Sequence, residues 1–393
     1  MPEGNAVVGA APLARRQRVL VVQRRMTHYR LPFFEALREA LARRGCELVL
    51  AHGEGTDEES SKNDSGELPW AERLRTRYLL SGKVCWQPFG SLLREADLVV
   101  LTAENKLVYN LWVQATWLRG RLALWGHGAN LQGDPRSWRE AFKRRVARRA
   151  DWWLAYTSHS VPLIQANGFP AERISVLNNA IDTQALARQC AAVDDAQLQA
   201  VRARLGLADG PVGLYLGSLY QEKRIDMILQ AAQQLREAVP GFQLVVAGAG
   251  PELPVVEAAA RRQPGVFYAG APRGQDKAAL LKTADLLLNP GMVGLGILDS
   301  FVAGVPLVTT DCGFHSPEVA YLESGRNGLM TADDLGAFTQ ACLRLLSDRA
   351  LHQQLSAGCL AAAARYTVQE MAERFADAAE ACLAAPMLRR PAG

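Results

Sequence analysis

Residues 285–318 combine the residue types that a nucleotide site requires. Gly291, Gly294 and Gly296 follow the apolar run DLLLNP, and Asp299 stands at the start of the next predicted helix. Backbone N–H groups in a glycine turn before a helix can bind phosphate, and a carboxylate can accept hydrogen bonds from sugar hydroxyls. The stretch therefore predicts a diphosphate site beside a ribose acceptor. Taken by itself, it is equally compatible with an ordinary loop between a strand and a helix.

A second group of candidate residues follows the predicted strand VGLYLGS. Lys223 and Arg224 stand on the loop after this strand. Two cations there could neutralise a diphosphate, and a solvated charge pair at a helix start is the alternative. The later turn AGAGPE has part of a dinucleotide fingerprint, but it lacks the third glycine and the acidic residue about 20 positions on, so bound NAD is not expected.

The N-terminal half carries basic and aromatic residues after its first predicted strand, RVLVVQ. The members of this cluster are Arg24, Arg25, His28, Tyr29 and Arg30. Basic side chains on such a loop suit an acceptor with an anionic or phosphate group, and a solvated loop is the alternative.

Strands and helices that alternate along the chain must position these residues. The predicted strands are RVLVVQ, ELVLAHG, ADLVVLT, RLALWGH, DWWLAYT and RISVLNNAID in the first half, and VGLYLGS, FQLVVAG, VFYAG, DLLLNP and PLVTTD in the second. Short apolar strands between amphipathic helices indicate parallel α/β sheets. We therefore predict two doubly wound sheets, with ligands in the cleft beyond the carboxyl ends of their strands.

The length of 393 residues also favours two domains. We predict a flexible tail at 1–16, a first domain at 17–183, a connection at 184–210 and a second domain at 211–365. The amphipathic helix in the remaining segment, 366–393, is expected to pack back on the first domain.

Composition limits the class of protein. The hydrophobic share of 49% and the charged share of 21% are typical of globular proteins. No apolar run approaches the length of a membrane span. The seven cysteines are scattered and never spaced as C-x-x-C, so neither a disulfide framework nor a metal cluster is expected, and a reducing cytoplasm fits best.

The basic surplus lies in the N-terminal half, where residues 1–182 hold 26 Lys and Arg against 19 Asp and Glu. Within it, residues 138–149 place Trp138, Phe142 and Val146 on one helical face surrounded by basic residues. This pattern suits contact with an anionic membrane, whereas a helix with a core-facing stripe is the commoner explanation. Nucleic-acid binding is not expected, because no recognised nucleic-acid module accompanies the basic residues.

The second half as a whole resembles the family 4 retaining glycosyltransferases of the GT-B fold. The resemblance is carried by LYLGSLYQEKRIDMIL, FQLVVAGAGPE, VFYAG, residues 285–318 and ESGRNGLM, in the order and spacing of that family. It covers about 212–330, and it is weaker in the first half, in MTHYRLPFFEAL, WGHGAN and ISVLNNAID. Such a run of motifs is far more specific than any one of them.

The resemblance implies a nucleotide-sugar donor in the second domain, an acceptor in the first, and transfer with retention at the anomeric carbon. Lys223 resembles the family's phosphate-binding lysine, and Asp299 resembles the glutamate that holds ribose hydroxyls. The amides of Gly294 and Leu295 would then meet the distal phosphate, and the backbone up to Gly270 would flank the base.

Three further positions are informative beside the family pattern. His127 resembles a family position near the donor sugar and acceptor, although an isolated glycine-flanked histidine is more often structural. Ser218 stands where the family has an arginine, which removes one phosphate-neutralising charge. Gly291 stands where the family has a glutamate that contacts the donor sugar, eight residues before Asp299. Retaining transfer is still reasonable, because the leaving diphosphate and the charges around it can stabilise an oxocarbenium-like transition state.

We therefore expect an α/β enzyme with two Rossmann-like domains that moves a sugar from a nucleoside diphosphate sugar to a hydroxyl of a glycan or lipid-linked acceptor, in cell-surface polysaccharide or glycolipid synthesis. It is expected in the cytoplasm, with a possible peripheral position on the inner face of the membrane, and without a metal or other cofactor. The expected catalytic residues are His127 and Lys223; the donor-binding residues are Ser218, Lys223, Arg224, Gly270, Gly291, Gly294, Leu295 and Asp299; and the acceptor-binding residues are Arg25, His28, Tyr29 and Arg30. The alternatives are a GT-B sugar-nucleotide epimerase or hydrolase, and a catalytically degenerate nucleotide-sugar-binding subunit.

Overall fold

Two parallel β-sheets organise the residues that the computed structural model describes, which are 15–56, 59, 65–104, 106–117, 119–128 and 148–388. The first part of the chain contains the strands β1 (Gln17–Gln23), β2 (Cys46–His52), β3 (Glu72–Arg73), β4 (Arg77–Leu79), β5 (Val84–Trp86), β6 (Leu98–Thr102), β7 (Arg121–Gly126), β8 (Trp152–Ala155) and β9 (Ile174–Val176). The second part contains β10 (Val212–Leu216), β11 (Gln243–Ala247), β12 (Val266–Tyr268), β13 (Leu286–Leu288), β14 (Leu307–Thr310) and β15 (Gly328–Thr331).

Helices connect these strands. They are α1 (Leu31–Arg43), α2 (Gly90–Leu93), α3 (Val108–Thr116), α4 (Ser160–Ala166), α5 (Thr183–Ala191), α6 (Asp195–Leu205), α7 (Ile225–Ala238), α8 (Leu253–Arg262), α9 (Gly274–Thr283), α10 (Ile297–Ala303), α11 (Leu335–Ser347), α12 (Arg349–Ala363) and α13 (Val368–Ala384). Short 3-10 turns occur at His28–Arg30, Ala171–Arg173, Gln221–Lys223 and Pro317–Tyr321. Among the described residues, no helix is both long and apolar enough to cross a bilayer.

The strand order of each sheet reverses beside its first strand. The first sheet runs β3-β2-β1-β6-β7-β8-β9 and the second runs β12-β11-β10-β13-β14-β15, while β4 and β5 form a separate antiparallel hairpin. The pairs within both large sheets are parallel. Doubly wound sheets bind ligands where the order reverses, beyond the carboxyl ends of the strands. The loops after β1, β6, β10 and β13 are therefore the places to look for a site.

The C-terminal helix α13 returns to the first domain and packs against α1. The ring of Phe375 on α13 lies 6.0 Å from Phe33 on α1 and 5.5 Å from Trp125 on β7, measured between centroids. The three rings are buried, as expected for aromatic side chains that supply much of the apolar area of a core. One face of the first sheet is thus covered by a helix that follows the second domain in sequence.

A buried polar contact also joins the two domains. Asn179, shortly after β9, donates from Nδ2 to Oε1 of Glu318 at 2.6 Å, and its carbonyl accepts from the hydroxyl of Tyr321 at 2.9 Å. All three residues are buried, and a hydrogen bond to a buried charged group is stronger than a neutral one. This contact fixes the 3-10 turn Pro317–Tyr321 against the end of the first sheet.

Candidate functional site

Lys223 is a buried cation that no carboxylate of the described residues neutralises. It ends the 3-10 turn Gln221–Lys223 after β10, its side chain is 9% exposed, and its ammonium donates to the carbonyl of Met292. It forms no ion pair within the described part of the chain. Burial lowers the pKa of Lys223 to about 8, against smaller opposing effects from Cys312, Glu222 and Glu318. A phosphate would both neutralise this ammonium and satisfy its remaining donors.

The loop after β13 lies beside the Lys223 loop. The N–H of Met292 donates to the carbonyl of Glu222 at 2.8 Å, so the two loops are bonded in both directions. Beyond Val293, whose N–H is bonded to His315, the amides of Gly294 and Leu295 have no hydrogen-bond partner among the described residues. Free backbone N–H groups near a buried ammonium form a suitable environment for an anion.

Asp299 lies in α10 with its side chain buried, and its Oδ1 accepts from Nζ of Lys277 on α9 at 2.7 Å. Because a buried carboxylate is costly without a partner, the pairing with Lys277 offsets this cost and orients the Asp299 side chain. Lys277 was not identified from the sequence. Its position in the first turn of a helix, one residue after Asp276, resembles many solvated lysines and gave no signal.

The environments of Arg224 and Ser218 differ from the free, phosphate-facing environment that their sequence positions near Lys223 predict. The Arg224 guanidinium forms two hydrogen bonds with Asp333, one of them 2.9 Å long, and lies 5.2 Å from the ring of Phe314. Ser218 is exposed, and its carbonyl accepts from the hydroxyl of Tyr215 at 2.7 Å. The charge of Arg224 is thus already paired, and the Ser218 position supplies no charge.

Gly270 and the neighbouring backbone lie at the end of β12. The Gly270 carbonyl accepts from the N–H of Gly248 at 2.7 Å, and the Tyr268 hydroxyl donates to the carbonyl of Gly248 at 2.8 Å. The end of β12 is therefore tied to the turn after β11, next to the Lys223 loop.

His127 follows β7 and faces the cleft from the first domain. Its ring lies edge-on to Tyr156, with centroids 4.6 Å apart and an interplanar angle of 90°. Protein packed around the base of the ring lowers the pKa of His127 below its ordinary value, while the Glu318 carboxylate opposes the shift. The imidazole is therefore mostly uncharged at neutral pH and can accept a hydrogen bond.

The basic cluster after β1 separates into buried and accessible members. Arg24 is held by Glu59 at 2.6 Å and by Glu104 at 2.8 Å. Arg25, His28 and Tyr29 lie nearer the surface, and Arg30 is buried. The list of predicted acceptor residues therefore includes side chains in two different environments.

Glu318 and His315 are the other residues of the cleft that sequence reasoning missed. His315 accepts from the N–H of Val293 through Nδ1 at 3.1 Å and contacts the carbonyl of Thr310 through Nε2 at 2.7 Å. It thus ties the loop after β13 to the end of β14. The signal that could have found both residues is their position in HSPE, just after the predicted strand PLVTTD. No group of three or more His, Cys, Asp and Glu suited to a metal occurs in the described ranges.

Two family models match the chain and together cover most of both domains. The model for glycosyl transferases group 1 matches residues 210–348, and the model for glycosyltransferase family 4 matches residues 33–185. The chain belongs to the family 4 glycosyltransferases. The predicted family is thereby confirmed.

Among curated proteins, this chain is similar to two bacterial enzymes. It is 30% identical over 220 residues to a GDP-mannose-dependent alpha-(1-6)-phosphatidylinositol monomannoside mannosyltransferase of Mycolicibacterium smegmatis, covering 52% of this chain and 55% of that protein. It is 26% identical over 196 residues to an alpha-D-kanosaminyltransferase of Streptomyces kanamyceticus, covering 46% and 48%. The matched region spans about half the length of each of these relatives.

A solved structure of similar fold is that of Anabaena Alr3699/HepE in complex with UDP. It superposes with a TM-score of 0.68 and 15% sequence identity, covering 93% of this chain and all of that one. At this identity the likeness concerns the fold, and the predicted GT-B architecture of two Rossmann-like domains is confirmed.

The packing around Gly291 leaves no room for the family's glutamate at this position. A Cβ atom built there would lie 2.2 Å from the carbonyl oxygen of Glu222 and 2.8 Å from Cα of Lys223. The backbone of the Lys223 loop thus occupies the space that any side chain at this position would need. The loss of the carboxylate and the close approach of the two loops are therefore one structural feature.

Proposed function

We propose that this protein is a retaining glycosyltransferase that moves a sugar from a nucleoside diphosphate sugar to a hydroxyl of a glycan or lipid-linked acceptor. The observation that carries the proposal is the buried, unneutralised ammonium of Lys223 beside the free amides of Gly294 and Leu295. These groups lie at the point where the strand order of the second sheet reverses, as expected for a diphosphate site. A protein with this fold has been solved in complex with UDP, which supports a nucleotide as the ligand.

In the proposed reaction, the bond between the anomeric carbon and the diphosphate oxygen breaks, and the electron pair leaves with the phosphate. The acceptor hydroxyl oxygen bonds to the anomeric carbon on the same face, and its proton passes to the departing phosphate oxygen. Lys223 stabilises the charge that develops on the diphosphate, in a buried environment where such stabilisation is strongest. Asp299 accepts hydrogen bonds from the ribose hydroxyls.

His127 completes the proposed site from the first domain. An uncharged imidazole at the cleft can accept a hydrogen bond from a hydroxyl of the donor sugar or of the acceptor, and so orient it. The acceptor then lies on the side of Arg25, His28 and Tyr29. No step of this scheme requires a bound metal.

Nucleotide binding tests the proposal directly. UDP-, GDP-, ADP- and dTDP-sugars are added separately, and the melting temperature is measured. A donor present at about 100 times its dissociation constant should add about 2.7 kcal/mol to the free energy of unfolding. Consumption of the donor that binds is then measured with and without an acceptor, and it should require the acceptor. Consumption without an acceptor would indicate a hydrolase. Binding without any consumption would indicate a catalytically degenerate subunit. No shift with any of the four would contradict the donor site.

An exposed apolar surface supports the proposal of a lipid-linked acceptor. We call it the aromatic surface, and it consists of Leu79, Leu80, Trp86, Val108 and Trp112, which are between 37% and 73% exposed. Trp86 and Trp112 each lie 5.1 Å from the ring of Tyr109 that separates them. The hairpin β4–β5 is tied to the end of β1, because Arg24 donates to the Tyr78 hydroxyl at 3.2 Å. Exposed tryptophans and leucines are typical of surfaces at the boundary of a bilayer.

Vesicle binding tests this surface. The wild-type protein should co-sediment with phosphatidylglycerol vesicles, and the double variant Leu80→Glu, Trp112→Glu should lose about 10-fold or more in partitioning, since apolar area is removed and anionic charge added. Leu360→Glu is the matched control, because Leu360 is 54% exposed but lies on α12 of the second domain. Equal partitioning of wild type and double variant would contradict the proposal. The basic segment 138–149, predicted as a membrane contact, lies outside the described residues except for its last two positions.

A further inference from the structure

Arg30 is a buried guanidinium in an aromatic environment. It ends the 3-10 turn His28–Arg30 after β1, and its side chain is 9% exposed. Its Cζ lies 4.9 Å from the ring centre of Trp125, 5.6 Å from that of Tyr29 and 5.8 Å from that of Tyr156. Trp125 lies on β7 and Tyr156 follows β8, so the guanidinium stands at the carboxyl edge of the first sheet, next to the cleft.

This guanidinium has no anionic partner in the described part of the chain. It makes no hydrogen bond or ion pair there, and its buried Nη1 is unpaired. The Glu318 carboxylate acts on the same neighbours, His127 and Tyr156, but it is bonded to Asn179 and lies beyond ion-pair distance of Arg30. Contacts with aromatic rings offset only part of the cost of burying a charge. An unpaired buried arginine in a cleft therefore indicates a missing anion.

The second domain supplies one buried cation without a carboxylate partner to the same region. Ser218 is uncharged, Arg224 is paired with Asp333, and Lys277 is paired with Asp299. Lys223 has no carboxylate partner among the described residues. His127 and Arg30 both lie against the Tyr156 ring, at 4.6 Å and 5.8 Å from its centre. Asn179, which is bonded to Glu318, donates from its N–H to the Tyr156 carbonyl at 2.9 Å. Glu318 in turn acts electrostatically on Lys223 of the second domain. Lys223 and Arg30 thus approach the same part of the cleft from opposite domains.

We propose that Arg30 is a phosphate-binding residue of the donor site, contributed by the first domain and taking the place of the charge that Ser218 does not supply. A donor diphosphate would lie between the Arg30 guanidinium and the Lys223 ammonium, with arginine contacting two phosphate oxygens at once. The identification of the anion as the donor diphosphate rests on the proposed function. This proposal assigns Arg30 to the donor site. The sequence had predicted it as an acceptor-binding residue together with Arg25, His28 and Tyr29.

Calorimetric titration with inorganic pyrophosphate tests Arg30 without depending on the nucleoside. The titration compares wild type, Arg30→Gln, Arg30→Lys and Arg38→Gln. Arg38 is the matched control, because it lies on α1 with its Cζ 4.9 Å from the Trp70 ring but on the exposed face of the helix. Arg30→Gln should weaken pyrophosphate binding about 10-fold or more. The affinity of Arg30→Lys should lie between those of Arg30→Gln and wild type, and the affinity of Arg38→Gln should equal that of wild type.

The unliganded proteins provide a second measurement. Because Arg30→Gln removes an unpaired buried charge, its melting temperature without ligand should equal or exceed that of wild type; a structural arginine would instead show a decrease. Unchanged pyrophosphate affinity in Arg30→Gln, or no binding by wild type, would overturn the proposal. A parallel titration uses glycerol phosphate as a probe for a phosphate-bearing acceptor. If Arg30→Gln weakened the binding of glycerol phosphate but not that of pyrophosphate, Arg30 would belong to the acceptor site and the donor assignment would be overturned. Arg30-dependent pyrophosphate binding without any preference for nucleoside diphosphates would instead reject the proposed function and leave the anion contact supported.

Discussion

Replacing Lys223 with alanine should lower the turnover number by about 100- to 1,000-fold, the usual loss when one preorganised donor to a developing negative charge is removed. The ammonium is buried, bonded to the Met292 carbonyl and not neutralised by a carboxylate among the described residues. The alanine variant leaves the amides of Gly294 and Leu295 to hold the diphosphate by themselves. Initial rates of sugar transfer at saturating donor measure the effect.

The pH dependence of the wild-type enzyme provides a second readout of the same residue. Since burial lowers the pKa of Lys223 to about 8, the free enzyme loses the positive charge as the pH rises through that value. The ratio kcat/KM should therefore decrease above about pH 8, and Lys223→Arg, which stays protonated, should not show this decrease.

Lys282→Ala is the control for Lys223, because Lys282 is exposed in the last turn of α9. Its turnover number should match that of wild type. Near-normal turnover in Lys223→Ala would remove Lys223 from the mechanism. A kcat/KM that stayed constant across pH 7–10 would show that the protonation state of Lys223 does not matter.

Replacing Gly291 with glutamate should destabilise the protein by about 3 kcal/mol or more rather than restore the family's carboxylate. The first side-chain atom would lie 2.2 Å from the carbonyl oxygen of Glu222, which is backbone and not able to move aside. Relief of the clash would separate the two loops and break the contacts of Met292 with the Lys223 loop. Transfer activity should therefore decrease together with the free energy of unfolding.

Gly294→Ala is the matched control for Gly291→Glu in the same loop. A Cβ at Gly294 would meet its nearest atom, Oγ of Ser316, at 3.5 Å, an ordinary contact. Its free energy of unfolding, measured by urea denaturation, should stay within about 1 kcal/mol of wild type. A Gly291→Glu protein as stable as wild type would show that the Lys223 loop moves aside readily and that the two loops are not closely packed.

The sequence by itself predicted the architecture because the relevant signals are local. Apolar strands alternating with amphipathic helices indicate a parallel α/β sheet in any context, and the right-handed connections of such sheets bring the loops after β10 and β13 to one edge. The sequence alone therefore predicts that Lys223, the glycines of the β13 loop and Asp299 share one site. The resemblance to the family motifs then predicted that this site binds a nucleotide-sugar donor.

Only the tertiary structure decided which of these charges are free to bind a ligand. Arg224 and Lys223 are neighbours in sequence, yet Asp333 pairs with Arg224, while Lys223 has no carboxylate partner in the described part of the chain. Lys277 forms an ion pair with Asp299, and the Arg30 guanidinium lies against the rings of Trp125 and Tyr156. The physical reason is that a charge is available to a ligand only when no other side chain pairs with it. Such partners lie far away along the chain, and the tertiary packing determines which of them come into contact. Residue type and spacing can predict where a charge lies, but not what already neutralises it.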